Sequence, residues 1–104
     1  MEWEIHRFIQ YLHLVKKTTY NTEVSYERDL RKLALYLKEH NIETFADVTS
    51  EELRKYVKYL TDEGNAPSSV SRTVSSIKTF YNYLLNIGVI NRDPAQFIKA
   101  PKIV

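Results

Sequence analysis

The stretch that decides the fold is Ser68–Leu85, SSVSRTVSSIKTFYNYLL. Val70, Val74, Ile77, Tyr81 and Leu84 recur at intervals of three and four, which sets them on one face of an α-helix and demands a second apolar surface to cover them. The helix is expected to begin near Pro67, whose ring suits a first turn, and to stop before Gly88. Opposite Ile77 the projection places Ser68, Arg72, Ser75, Thr79, Asn82 and Asn86, with Ser71 and Lys78 on one flank and Ser69 and Ser76 on the other. A solvated helix face ordinarily carries Glu and Lys. This one carries no acid, and none occurs in the 29 residues between Glu63 and Asp93. With 13 acids in 104 residues, three or four would fall there at random. Ser, Thr and Asn each cost a few tenths of a kcal/mol in a helix interior relative to Ala or Lys, so the segment gives up helix stability for this face.

Three further amphipathic helices are legible upstream. One runs from about Trp3 to Val15, with Ile5, Phe8, Ile9, Leu12 and Val15 on a common face. A second runs from about Tyr20 to Glu39, capped by Thr19, with Tyr26, Leu30, Leu33, Ala34 and Leu37 inward. The third opens on Thr49-Ser50-Glu51-Glu52, a capping box in which Thr49 and Glu52 each satisfy an orphan backbone N–H, and continues with Leu53, Tyr56, Val57 and Leu60. Asp93-Pro94-Ala95-Gln96 predicts one last short helix. Each stripe can be buried only against another helix, so the expected fold is all-α, a four-helix bundle with a short C-terminal helix. Residues 1–98 are read as one domain, and 99–104, ending KAPKIV, as the start of a linker.

Composition narrows the function. The chain has no cysteine, which rules out disulfides and thiolate metal sites and makes a reducing compartment the default. No apolar run approaches the roughly 20 residues that cross a bilayer, and MEWEIHRF lacks a signal-peptide layout, so the expectation is a cytoplasmic protein without a membrane partner. A net charge of +2 is too small to argue for a polyanionic partner, so the distribution of charge has to do so.

It does so on two helices. A phosphate backbone repels carboxylates, while short hydroxyl and amide side chains let a helix approach a groove and donate to phosphates or base edges. Arg72 can pair bidentately with the O6 and N7 of guanine, and Lys78 suits phosphate as a point charge. On the second helix Asn21, Ser25, Arg28 and Lys32 share an outward line, preceded by the basic turn Lys16-Lys17-Thr18-Thr19 at the positive end of the helix dipole. Glu23, Glu27 and Asp29 lie off that line, and Arg31 and Lys32 can pair with Glu27 or Asp29 at helical spacing, so part of this charge is ordinary surface pairing.

These residues resemble those of a known family. TTYNTEVSYERDLRKLALYL is similar to the N-terminal segment of tyrosine recombinases and phage-type integrases at Thr19, Asn21, Thr22, Tyr26, Arg28, Asp29 and Leu30. The opening stretch is similar to a later helix of that family at Arg72, Ser75, Ile77, Lys78, Phe80, Tyr81, Tyr83 and Leu84, and NRDPAQFIKAPK resembles the passage into its catalytic domain. The resemblance covers nearly the whole chain and implies a core-binding domain, a four-helix SAM-like module that grips one face of a recombination-site duplex through its second and fourth helices. It implies as partners double-stranded DNA, the catalytic domain of the same parent protein and other recombinase protomers in a synaptic complex, and a nucleoid-associated location. The catalytic residues, including the nucleophilic tyrosine, would lie outside this chain, which is then not itself an enzyme and needs no cofactor. The DNA-binding residues expected are Lys17, Thr18, Thr19, Asn21, Ser25, Arg28 and Lys32, together with Ser68, Ser69, Arg72, Ser75, Lys78, Thr79 and Asn82.

Other chemistry is weaker. His6 and His13 stand seven residues apart with no paired ligand four residues away, a poor zinc spacing. The serines have neither a histidine in their helix nor a glycine elbow before them, as a nucleophile would need. Leu35 projects outward among polar residues, as a contact with a further domain would. Two rival readings stay open: a helical protein-interaction module whose serine-rich face packs on a partner helix, and a stand-alone DNA-binding regulator. The second lacks the tight spacing of a helix-turn-helix between helices three and four.

Overall fold

Residues 1–101 are described by a computed structural model, and Lys102, Ile103 and Val104 of the expected linker lie outside the described residues. Four α-helices and no strand occur among the described residues: α1 (Glu2–Tyr11), α2 (Tyr20–Glu39), α3 (Ser50–Asp62) and α4 (Pro67–Asn86). The all-α class is as expected. The chain divides into two compact units, Met1–Phe45 and Ala46–Val104.

In the first unit α1 packs on α2. Ile5, Phe8 and Leu12 are buried, as are Leu30, Leu33, Ala34 and Leu37 of α2, and Phe8 meets Tyr26 edge to face at 5.5 Å. The inward face of α1 ends sooner than its sequence suggested. From Leu12 to Lys16 the helix continues as a π-type turn, and the N–H groups of Lys17 and Thr18 both return to the carbonyl of Leu12. Each π-type bond spans one residue more than an α-type bond, so the apolar stripe rotates past its register. Val15, expected inward, is therefore 64% exposed, and Leu14 is 69% exposed. Lys17 closes this turn in the left-handed region at φ 55°.

In the second unit α3 packs on α4. Leu53, Tyr56 and Leu60 of α3 are buried with Val70, Val74, Ile77, Phe80, Tyr81 and Leu84 of α4. The capping box forms in both directions: Thr49 Oγ1 accepts from the Glu52 N–H at 3.3 Å, and the Glu52 carboxylate accepts from the Thr49 N–H at 3.4 Å. α4 stops in a Schellman arrangement. The Val89 N–H reaches the Leu84 carbonyl at 3.0 Å, the Gly88 N–H reaches Leu85 at 3.2 Å, and Gly88 sits at φ 81°, which only glycine adopts without strain.

The short C-terminal helix does not develop. Asp93 does cap, its carboxylate accepting the Ala95 N–H at 2.8 Å, but residues 94–97 form turns only. Pro101 removes a donor and biases Ala100 away from helical geometry, so a helix has no room to propagate. Instead Pro94, Ala95 and Ile98 are buried, and the Pro94 carbonyl accepts the Ser50 hydroxyl at 2.8 Å.

Candidate nucleic-acid interface

The outward line of α4 is intact. Ser68, Arg72, Ser75, Thr79, Asn82 and Asn86 are all exposed, and Asn86 donates to the Asn82 side-chain oxygen at 3.2 Å. The hydroxyls of this helix fall into two groups. Thr73 and Ser76 are buried and donate to the carbonyls four residues earlier, Thr73 to Ser69 at 3.1 Å and Ser76 to Arg72 at 3.2 Å. Such back-bonding satisfies a hydroxyl without water and lets it face a core. Ser76, placed on an outward flank by the projection, thus points inward, while Ser69 and Ser71 are half-buried. The hydroxyls of Ser68, Ser75 and Thr79 and the amides of Asn82 and Asn86 lie on exposed residues.

Lys78 already has a partner within the chain. It is half-buried, and its Nζ donates to the Ile98 carbonyl at 2.8 Å, tying the chain that follows the turns to α4. A charge-assisted bond of this kind fixes the ammonium and the segment together.

In the first unit Asn21, Arg28 and Lys32 are exposed along α2, and Ser25 is half-buried. Arg28 Nε stands 3.9 Å from Asp29. Arg31 pairs with Glu27 at 3.2 Å as the spacing suggested, and also holds Glu2 with two bonds of 2.6 and 2.7 Å, a partner 29 residues away. The hydrogen bonds from Arg31 hold the Glu2 carboxyl below the usual carboxylate range, and those to Glu2 and then Glu27 raise the guanidinium. Thr19 caps α2, accepting the Thr22 N–H at 3.3 Å. Lys17 and Lys16 are exposed on the preceding turn, with Lys16 Nζ 6.0 Å from the Tyr11 ring.

The residue the sequence reading missed is Glu23. It is 9% exposed and accepts from the Thr18 hydroxyl at 2.8 Å and from His13 Nδ1 at 3.2 Å. Although it lies off the outward line, it braces the turn that carries the two lysines. Its place in the first turn after the Thr19 cap was the available signal. Among the described residues no group of three or more His, Asp or Glu side chains gathers as a metal site, and no helix is long and apolar enough to cross a membrane.

The all-helical architecture is that of a helical domain, and comparison with known proteins gives its family. Residues 5–88 match the phage integrase N-terminal SAM-like domain, and the chain belongs to that family. It is 33% identical over 96 residues to tyrosine recombinase XerC of Listeria monocytogenes, covering 92% of this chain and 32% of the relative. It is 30% identical over 102 residues to XerC of Pseudomonas putida, covering 98% of this chain and 34% of the relative. It is also 29% identical over 103 residues to tyrosine recombinase XerD of Oceanobacillus iheyensis, covering 98% and 35%. The chain thus spans about a third of the length of these relatives. No solved structure matches it.

Proposed function

We propose that this chain is the DNA-gripping, non-catalytic domain of a site-specific tyrosine recombinase, holding one face of a recombination-site duplex while the strand-exchange chemistry is done by a catalytic domain elsewhere in the parent protein. Its working partners are then double-stranded DNA, that catalytic domain and other protomers in a synaptic complex, in the cytoplasm at the nucleoid. The observation that carries this reading is the outward line of α4: six exposed polar positions, one of them Arg72, in a segment without a carboxylate from residue 64 to residue 92.

On this reading Ser68, Ser75, Thr79 and Asn82 bring the helix close to the groove and bond phosphates or base edges, with Ser69 at their margin. Arg72 supplies the planar fork that distinguishes guanine. Arg72→Ala then lowers affinity for the cognate site by about 1–3 kcal/mol, and by less where it meets phosphate. Lys17, Thr18, Thr19, Asn21, Ser25, Arg28 and Lys32 serve the second contact region. Within it, Thr18 and Thr19 act chiefly by shaping the turn, since their hydroxyls are engaged with Glu23 and Thr22. Lys78 holds the segment at Ile98.

Salt decides whether the partner is a polyanion. Each phosphate neutralised on duplex DNA contributes about −0.9 to the slope of log K against log salt. Half a clamp meets few phosphates, so weak binding with a clear negative slope is expected in a fluorescence-anisotropy titration. Affinity indifferent to salt contradicts the reading and favours the protein-interaction module.

A further inference from the structure

The outer side of α3 and the turn after residue 94 form a feature that the duplex reading does not use. An open cleft of about 450 Å³ is lined by Arg54, Val57, Lys58, Phe97, Ile98 and Lys99. Three of the six are cations and none is a carboxylate. Phe97 is 76% exposed, an unusual state for a phenyl ring in a chain whose other three phenylalanines are fully buried. Among the described residues Arg54 and Lys99 have no ion-pair partner, while Lys58 is held by Asp62 at 2.7 Å. Beyond Lys58 a second, smaller cleft of about 350 Å³ is lined by Lys55, Tyr59, Asp62 and Glu63, and its two acids mark where the basic strip ends. Tyr59 is 39% exposed and lies nearly parallel to the buried Tyr56 at 6.2 Å, which backs its ring.

We infer that this basic and aromatic strip binds an unpaired nucleic-acid strand, with a base stacked on Phe97 and flanking phosphates on Arg54 and Lys99. Exposed rings interleaved with cations are the common means of holding single strands, because every base offers a π face and every linkage a charge. An acidic peptide fits less well. Its apolar anchor needs an enclosed hole, whereas Val57 is half-buried, Ile98 is 3% exposed, and the accessible apolar surface is a protruding ring. A duplex fits less well again, since paired bases would leave Phe97 nothing to stack on. No residue of α4 lines either cleft, so this site stands apart from the proposed duplex contacts.

The test is to titrate the 104-residue chain separately with a short oligothymidylate, a duplex of equal length and a Glu- and Phe-rich peptide, following backbone amide NMR shifts. The oligothymidylate is expected to move the signals of residues 54–58 and 97–99. Phe97→Ala should weaken it roughly 5- to 150-fold, the loss of one base stack, while Phe97→Trp retains it. The exposed ring makes both substitutions compatible with folding. Lys99→Gln should flatten the salt slope by about 0.7, one single-strand phosphate contact. An unchanged affinity in Phe97→Ala, oligothymidylate shifts confined to the outward line of α4, or a stronger response of residues 54–58 and 97–99 to the peptide each overturns the inference. Loss of duplex binding with the oligothymidylate response intact would count against the proposed function alone.

Discussion

α2 and α4 are both 20 residues long and both carry a polar outward line, yet they solve different electrostatic problems. The cations of α2 sit among acids: Arg31 is engaged by Glu27 and Glu2, Arg28 stands beside Asp29, and Glu23 is buried under the turn at the helix start. α4 itself contains no acid. Its buried hydroxyls bond its own backbone, and those of Ser68, Ser75 and Thr79 are exposed. An outward polar stripe therefore points to a ligand most strongly where the element supplies no partner of its own. On that measure α4 would be the primary contact of the proposed duplex interface and α2 the supporting one.

The comparison breaks most visibly on the inner side of α4. Ile77→Ala, at a site 1% exposed, should cost about 2–5 kcal/mol in denaturant unfolding, while Leu35→Ala, 60% exposed on α2, should stay near zero. An equal loss at both positions would show that the outward line of α2 is covered. Next in size is Lys78→Met, which removes the bond to the Ile98 carbonyl and should lower stability by about 1 kcal/mol. The same change should leave the salt slope of duplex binding nearly unaltered, which separates an anchoring lysine from a phosphate contact.

A smaller effect sharpens the picture of the turn before α2. Lys17 holds φ 55°, a region that costs a side chain about 1 kcal/mol and glycine little. Lys17→Gly should therefore raise the unfolding free energy by up to about 1 kcal/mol while weakening duplex binding through the lost charge. Opposite signs in the two measurements are the expected outcome. Smallest is Glu2→Gln, on an exposed pair whose charges are well screened. Because the folded carboxyl is held below its unfolded value, its contribution is present above the usual carboxylate range and lost as pH falls through the lower, folded value. Thermal melts of variant and wild type should differ slightly at neutral pH and converge in acid.

The ends of α2, α3 and α4 were legible because caps are local. Thr19, the Thr49–Glu52 box, Pro67 and Gly88 act within a few residues of their own positions. The π-type turn was not, because it depends on two N–H groups sharing the Leu12 carbonyl and on a left-handed Lys17 that no glycine announces. Ser76 misled because a projection weighs side chains by polarity, whereas a hydroxyl bonded to the preceding turn is free to face inward. Lys78–Ile98 and Arg31–Glu2 join residues 20 and 29 apart, beyond the reach of helical spacing. The outward line of α4 was legible in full, since absence of acid over so long a stretch is itself a sequence pattern.

Contact between the outward face of α4 and DNA is open to direct measurement. Anisotropy titrations of one duplex with wild type, Arg72→Glu and Arg28→Glu at several salt concentrations address it directly. The expected result is the greater loss in Arg72→Glu, together with a shallower salt slope, and a lesser loss in Arg28→Glu. Wild-type affinity and slope in Arg72→Glu would contradict it.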